Sequence, residues 1–158
     1  EAQRRAALEI PGVYVVSSLD LSVTDGIHNS SGANVTIGER LANAALSYLY
    51  GKPGQRSVFI LSAEAVDDTH VLLHLTPGHR VLAMDGRAMG MNVEDADGLT
   101  DCIEAAPVPD GLMVSTKRPY RLPAQFHYAW RTHPPVFAAR DFYDLPLVAC
   151  YGMEIATK

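Results

Sequence analysis

Short apolar runs with a period of two residues fill the chain from Gln55 onward, and this pattern constrains the fold most strongly. Glycine, proline and aspartate separate the runs, as at Pro77-Gly78 and Asp97-Gly98. Regular short strands with such turns favour an antiparallel sandwich. The sequence therefore predicts a β-sandwich-like region over residues 53–130 and, after it, an irregular tail over residues 131–158 that packs back on the fold. The runs that predict strands are residues 56–61, 70–75, 80–84, 100–106, 111–115 and 125–130.

Residues 1–52 have a different, α/β pattern. Residues 13–19 form a nearly continuous apolar run, which is typical of a strand buried on both faces of a parallel sheet. Thr36 and Glu39 have the spacing of a capping box, and Gly51 ends the helix that follows them. We therefore expect the C-terminal edge of a parallel α/β domain here. The helix is expected to bury one apolar face, made of Ile37, Leu41, Ala44, Ala45, Tyr48 and Leu49.

Composition and charge narrow the function classes. The chain has 158 residues, of which 47% are hydrophobic, and this is enough for one core or two small ones. The net charge of -5 argues against a nucleic-acid surface, which needs a basic stripe. No apolar run approaches the roughly 20 residues that span a bilayer. Cys102 and Cys150 have no further ligand at metal-site spacing, so we expect buried free thiols, with a disulfide as the alternative.

Asp25 and His28 are the candidate catalytic residues. In a nucleophilic triad the imidazole takes the proton of a serine hydroxyl, and the carboxylate orients the imidazole and stabilises its charged form. We therefore expect the two side chains to be hydrogen-bonded, with the imidazole in a cleft; the alternative is a solvated loop. Because only 24 residues precede Asp25, the serine is expected on a missing N-terminal part or on a partner chain. The chain alone is then expected to be inactive.

The neighbourhood of this pair resembles a known enzyme family. Residues 20–28, followed by Gly38-Glu39-Arg40-Leu41-Ala42, resemble the last catalytic block of SGNH/GDSL-type carbohydrate esterases. More narrowly, they are similar to the sialate O-acetylesterases and their acetyl-polysaccharide esterase relatives. Tyr128-Ala129-Trp130 and residues 141–146 resemble the motifs that close the β-rich region of that family. The nucleophile and oxyanion-hole blocks of the family are absent from this sequence.

The resemblance implies a specific function. Residues 1–52 would be the C-terminal segment of an SGNH-type hydrolase domain, with Asp25 and His28 as two members of its catalytic triad. The enzyme would be a serine hydrolase that removes acetyl groups from sugars or glycans. No cofactor, no metal, no nucleic acid and no membrane is implied, and the family is typically periplasmic or secreted.

Two other functions remain open from the residues. The first is a non-catalytic carbohydrate-binding or interaction module, in which Phe126, Tyr128 and Trp130, alternate residues of one strand, could form a sugar-stacking platform; a core position is favoured for them. The second is a metal-dependent hydrolase that uses His70, His74 and His79. No carboxylate or thiol completes that ligand set, so solvent-facing strand histidines are favoured.

Overall fold

The computed structural model describes residues 1–79, 81–82, 87–109, 111–131, 139–141 and 143–157. Within these ranges the chain forms two helices and nine strands. The helices are α1 (Ala2–Glu9) and α2 (Ser31–Tyr48), and no described helix is both long and apolar enough to cross a membrane. The strands are β1 (Ile60–Ala65), β2 (His70–Leu75), β3 (Val81–Leu82), β4 (Met91–Asp95), β5 (Gly98–Val108), β6 (Gly111–Thr116), β7 (Gln125–Tyr128), β8 (Arg140–Asp141) and β9 (Cys150–Ala156).

Seven of these strands close into a β-barrel in the order β1-β2-β6-β5-β4-β7-β9. Neighbouring strands run antiparallel, except that β1 and β9 are parallel, with Ala63 opposite Ile155. The short strands β3 and β8 pair with each other outside the barrel. Closure gives every barrel strand two hydrogen-bonded neighbours, which removes the exposed edges that an open sheet would leave.

Alternating apolar residues fill the barrel. Along β2, Val71 and Leu73 are fully buried, while the residues that alternate with them are partly exposed. Leu112 and Val114 of β6 are buried in the same way. Since successive side chains of a strand point to opposite faces, one face of each strand lines the core. Phe126 and Tyr128 of β7 are among the largest fully buried side chains of the core.

The predicted fold class, a parallel α/β edge followed by an antiparallel sandwich, is wrong. Inward and outward residues alternate in a sandwich and in a barrel alike, so the period of two does not separate them. Barrel closure depends on β9, which pairs with both β1 and β7 and lies in the segment predicted as an irregular tail. Residues 13–18 form no strand; side-chain hydrogen bonds anchor them instead, from Ser57 to the Val15 carbonyl and from Ser17 to the Leu147 carbonyl.

The helix α2 is present, but its N-cap lies six positions before Thr36, the predicted N-cap. Ser30 is the N-cap, and its hydroxyl accepts the Ala33 N–H at 3.1 Å. Thr36 lies inside the helix and donates to the Gly32 carbonyl at 3.3 Å. Much of the predicted apolar face is not buried, since Leu41 and Leu49 are 52% and 64% exposed. Ala44 of that face is buried as predicted, and the other buried residues of α2 are Ala33, Arg40 and Ser47.

Candidate active site

Asp25 and His28 are joined by a short side-chain hydrogen bond on the loop that precedes α2. Nδ1 of His28 lies 2.7 Å from Oδ2 of Asp25. Oδ1 of Asp25 accepts the backbone N–H groups of Ile27 and His28 at 3.3 Å and 3.0 Å. Both carboxylate oxygens therefore have defined partners. The structure contains the contact that the spacing predicts, while the catalytic role of the pair stays a prediction.

The imidazole is open to solvent rather than enclosed in the expected cleft. The side chains of His28 and Asp25 are 70% and 56% exposed. The hydrogen bond from the His28 ring, followed by those from the two backbone N–H groups, lowers the pKa of Asp25 below its usual value. Within the described residues, Nε2 of His28 carries no hydrogen bond. The ring is thus oriented from one side and free on the other.

The loop is held in a tight reversal around the pair. Val23 and Asn29 form an isolated antiparallel bridge. Inside it, the backbone N–H and the hydroxyl of Thr24 both donate to the His28 carbonyl, at 2.8 Å and 3.1 Å. Gly26 has a φ of 91°, a conformation that side chains disfavour. The glycine therefore lets the chain turn so that His28 folds back onto Asp25.

An ion pair that the sequence did not reveal ties this loop to α2. Arg40 donates from Nη1 and Nη2 to the two carboxylate oxygens of Asp20, each at 2.7 Å. Arg140 lies 3.1 Å from the same carboxylate. Burial by itself would raise the pKa of Asp20, but the hydrogen bonds and charge of Arg40 outweigh it, and the pKa is lowered. A helix with one arginine on its buried face is the signal that could have indicated this pair.

A second Asp-x-x-His segment has nearly the same geometry. Nδ1 of His70 lies 2.9 Å from both oxygens of Asp67, and Oδ1 of Asp67 accepts the His70 N–H at 2.8 Å. These side chains are also exposed, 41% for His70 and 51% for Asp67. A hydrogen-bonded carboxylate and imidazole are therefore not specific to a catalytic site in this chain. The second pair is a matched control for the first.

The histidines considered as metal ligands do not converge. His74 contacts Glu64 at 3.2 Å and His79 contacts Asp141 at 3.0 Å, so each of these rings has its own carboxylate, as His70 has Asp67. Among the described residues, no three histidine, cysteine or acidic side chains come together as a metal-ligand group.

The two cysteines are buried and free. Cys102 is 6% exposed and Cys150 is 1% exposed, and they form no disulfide. Burial raises the pKa of both thiols to about 12. Their thiolate forms, which would be the nucleophiles, are therefore strongly disfavoured at neutral pH.

The aromatic row of β7 is divided between core and surface. Phe126 and Tyr128 are buried, as expected for core residues, but Trp130 is 40% exposed. The expected alternation ends at Ala129, which has a φ of 52°. Trp130 therefore lies outside the core, although the sequence pattern assigned it to the same face.

Comparison with known proteins gives a likeness in fold. No protein-family model matches the chain, and no curated protein matches it either. The structure of a carbohydrate acetylesterase from Xanthomonas citri is similar, with 21% sequence identity and a TM-score of 0.66. The match covers 83% of this chain and 30% of that chain. The chain thus spans under a third of the length of that esterase. At this identity the likeness establishes the fold, and the narrower resemblance to sialate O-acetylesterases stays a prediction.

Proposed function

We propose that the chain is part of a serine carbohydrate esterase of the SGNH type, to which it supplies Asp25 and His28. The observation that carries this proposal is the free, exposed Nε2 of an imidazole whose Nδ1 is held by Asp25 at 2.7 Å. This is the arrangement that a base needs in order to receive a proton from a serine brought to it. The likeness in fold to part of a carbohydrate acetylesterase supports the substrate class, acetyl esters of sugars.

The reaction would proceed in two acyl-transfer steps. The serine Oγ attacks the acetyl carbonyl while Nε2 of His28 takes the hydroxyl proton. His28 then returns that proton to the departing sugar oxygen, which leaves an acetyl-serine. His28 next deprotonates a water, whose oxygen attacks the acetyl-serine carbonyl. The bond from the acetyl carbon to the serine Oγ then breaks, Oγ takes the proton back from His28, and acetate is released. Asp25 stabilises the charged imidazole throughout and keeps Nε2 facing the substrate.

The serine would lie on a further polypeptide that contacts residues 8–50. Ile27, next to His28, is 80% exposed. Extensive exposed apolar surface marks sites of contact with another chain or domain, so the number of exposed apolar residues in this segment supports the proposal. The exposed large apolar residues of this segment are Leu8, Ile10, Tyr14, Val23, Ile27, Val35, Leu41, Leu46, Leu49 and Tyr50.

Two features favour His28 over His70 as the base. Nδ1 of His70 is shared with the Thr69 hydroxyl at 3.1 Å, whereas Nδ1 of His28 has one partner. The side chain of His70 is also less exposed, 41% against 70%. A base that must meet a group from another polypeptide needs the more open of the two positions.

The test compares His28→Ala with His70→Ala in the protein assembled with its nucleophile-bearing polypeptide. Turnover of p-nitrophenyl acetate and of an acetylated oligosaccharide is measured beside the thermal midpoint. His28→Ala should lower kcat by about 10⁴–10⁶, since the members of a triad act as a unit. His70→Ala should keep turnover close to that of the parent. Near-normal turnover in a folded His28→Ala protein would show the proposal to be wrong.

A further inference from the structure

Trp130 is turned out of the barrel by a backbone conformation that few residues adopt. Ala129, which follows β7, has a φ of 52°, in the left-handed region where residues other than glycine are uncommon. Its N–H donates to the Gly90 carbonyl at 2.9 Å, which fixes this bend beside the start of β4. Local strain of this kind persists where the surrounding structure enforces it, and it is concentrated at functional positions.

Two neighbouring rings hold the exposed indole. The Trp130 ring lies 5.3 Å from the His127 ring and 5.2 Å from the Tyr151 ring, measured between centroids. His127 is fully buried. Its ring is fixed in orientation, because the Gly152 N–H donates to Nδ1 at 3.0 Å and Glu94 lies 3.1 Å from Nε2. Contact with these two rings restricts the Trp130 indole, so the indole loses little conformational entropy when a ligand stacks on it.

Trp130 forms one wall of a cleft of about 300 Å³. This volume is at the lower end of the range for ligand pockets, about 300–1,000 Å³. Met89 adds an apolar wall, and Asn92, Asp101 and Arg131 add polar groups. Asn92 Nδ2 donates to Asp101 Oδ1 at 2.6 Å. Among the described lining residues, Asp101 and Arg131 are the charged ones, so their charges cancel.

We propose that this cleft binds a neutral sugar unit of a carbohydrate chain. The apolar C–H face of a pyranose ring would stack on Trp130, as apolar groups do on aromatic faces. The Asp101 carboxylate accepts hydrogen bonds from sugar hydroxyl groups, and the Arg131 guanidinium donates hydrogen bonds to sugar oxygens. Because the two charges cancel, an acidic sugar gains no net attraction in the cleft. The site contains neither Asp25 nor His28, so it goes beyond the proposed esterase function and needs no ester in its ligand.

The binding test uses unacetylated sugars, which the esterase reaction does not consume. Trp130 is the only tryptophan of the chain, so its fluorescence reports directly on the cleft. Xylohexaose and cellohexaose are titrated, with 3′-sialyllactose as the acidic comparison. A neutral hexasaccharide should give a saturable change in emission and a matching heat of binding by calorimetry. The acidic trisaccharide, which gains nothing from its charge, should bind no more tightly than either hexasaccharide.

Variants separate stacking from hydrogen bonding. Trp130→Ala should weaken binding at least tenfold by calorimetry, and Trp130→Phe should restore part of that loss. Arg131→Gln changes an exposed residue whose guanidinium lies 5.9 Å from the centroid of the Trp130 ring. It is the second variant if Trp130→Ala does not fold, and it should weaken binding several-fold. Tyr50→Ala removes another exposed aromatic ring that does not line the cleft, and it should bind as the parent does.

Several results would overturn the proposal. These are no binding of either neutral hexasaccharide at millimolar concentration, unchanged binding in Trp130→Ala, or preference for sialyllactose. Protection of Trp130 from acrylamide quenching by the nucleophile-bearing polypeptide, without any protection by sugar, would assign the cleft to a protein contact instead. His28→Ala should bind the hexasaccharides normally, so failure here and failure of the esterase proposal are distinguishable.

Discussion

Arg40 of α2 and Asp20, at the start of the loop that carries Asp25 and His28, form a bidentate ion pair with two hydrogen bonds of 2.7 Å. The side chains are 9% and 3% exposed. The Arg40 guanidinium also donates to the Ser17 carbonyl at 2.7 Å. Two of the segments that carry the family resemblance, residues 20–28 and 38–42, are therefore in direct contact. The pair positions the loop of Asp25 and His28 on the helix.

Removing Asp20 should destabilise the protein strongly. Asp20→Ala leaves the buried Arg40 without its carboxylate partner and removes one of the two carboxylates that Arg140 contacts, the other being that of Asp144. Breaking a buried ion pair by deleting one member typically costs about 3–5 kcal/mol. Urea denaturation measures the loss. Arg5→Ala is the control, because the Arg5–Glu9 pair is 62% and 59% exposed and should contribute nothing measurable. Equal effects of the two changes would contradict this account of Asp20.

The ion pair of Asp20 with Arg40 should also make the free energy of unfolding decrease at low pH. The pKa of Asp20 is lower in the folded state, so its contribution is complete above the unfolded value of about 3.9. As the pH falls below about 3.9 and through the folded pKa, the unfolded chain binds the proton first and stability is lost. Urea midpoints from pH 7 to pH 2.5 check this. The slope below pH 4 should be smaller in Asp20→Asn; an unchanged slope would contradict the prediction.

His127 should also make the free energy of unfolding depend on pH, in a higher pH range than Asp20 does. Burial lowers its pKa, although Glu94 acts in the opposite direction. The ring is neutral with its proton on Nε2, because Nδ1 accepts the Gly152 N–H at 3.0 Å. The contribution is complete above the unfolded pKa of about 6.5 and is lost as the pH falls through the folded pKa. His127→Gln should reduce the slope of stability between pH 6.5 and pH 5. A slope equal to that of the parent would contradict it.

The sequence predicted local elements better than their assembly. The run at residues 70–75 coincides with β2, since its alternation is uninterrupted. The strand β9 was missed because Gly152, with a φ of 68°, interrupts its alternation. Without β9 neither end of the sheet closes, so a sandwich was expected where a barrel forms. The assembly depends on long-range pairing, such as Ala63 with Ile155, which no local pattern encodes.

The site divides in the same way. The contact of Asp25 with His28 was predictable because a three-residue spacing on a loop brings the two side chains together. The contact of Asp20 with Arg40 was not predicted, because it joins the loop to a helix whose buried face was expected to be apolar. The exposure of Trp130 depends on the single conformation of Ala129. The alternating pattern of a strand does not indicate that the backbone turns at Ala129 and places Trp130 on the surface.

The close approach of β2 and β6 should make Gly111 intolerant of a side chain. A Cβ at this position would overlap the carbonyl oxygen of Leu73, and Gly111 has a φ of 154°. Gly111→Ala should therefore destabilise the barrel by about 1–3 kcal/mol, the usual cost of overpacking. Gly38→Ala in α2 is the control, since its Cβ would meet nothing within 4 Å and alanine favours helices. A thermal midpoint that is unchanged in Gly111→Ala would argue against this strand register.

Asp25→Asn removes the carboxylate charge and leaves the His28 imidazole in place, so it tests whether Asp25 itself contributes to turnover. The amide keeps the size of the carboxylate, but it cannot balance the charge of a protonated His28, and it can hold the ring in the wrong tautomer. In the protein assembled with the proposed nucleophile-bearing polypeptide, kcat for acetyl-ester hydrolysis should fall by about 10⁴. Asp67→Asn makes the same chemical change in the matched pair and should leave kcat unaltered. Equal kcat values for the two variants would mean that the Asp25–His28 contact, like the Asp67–His70 contact, only shapes a loop.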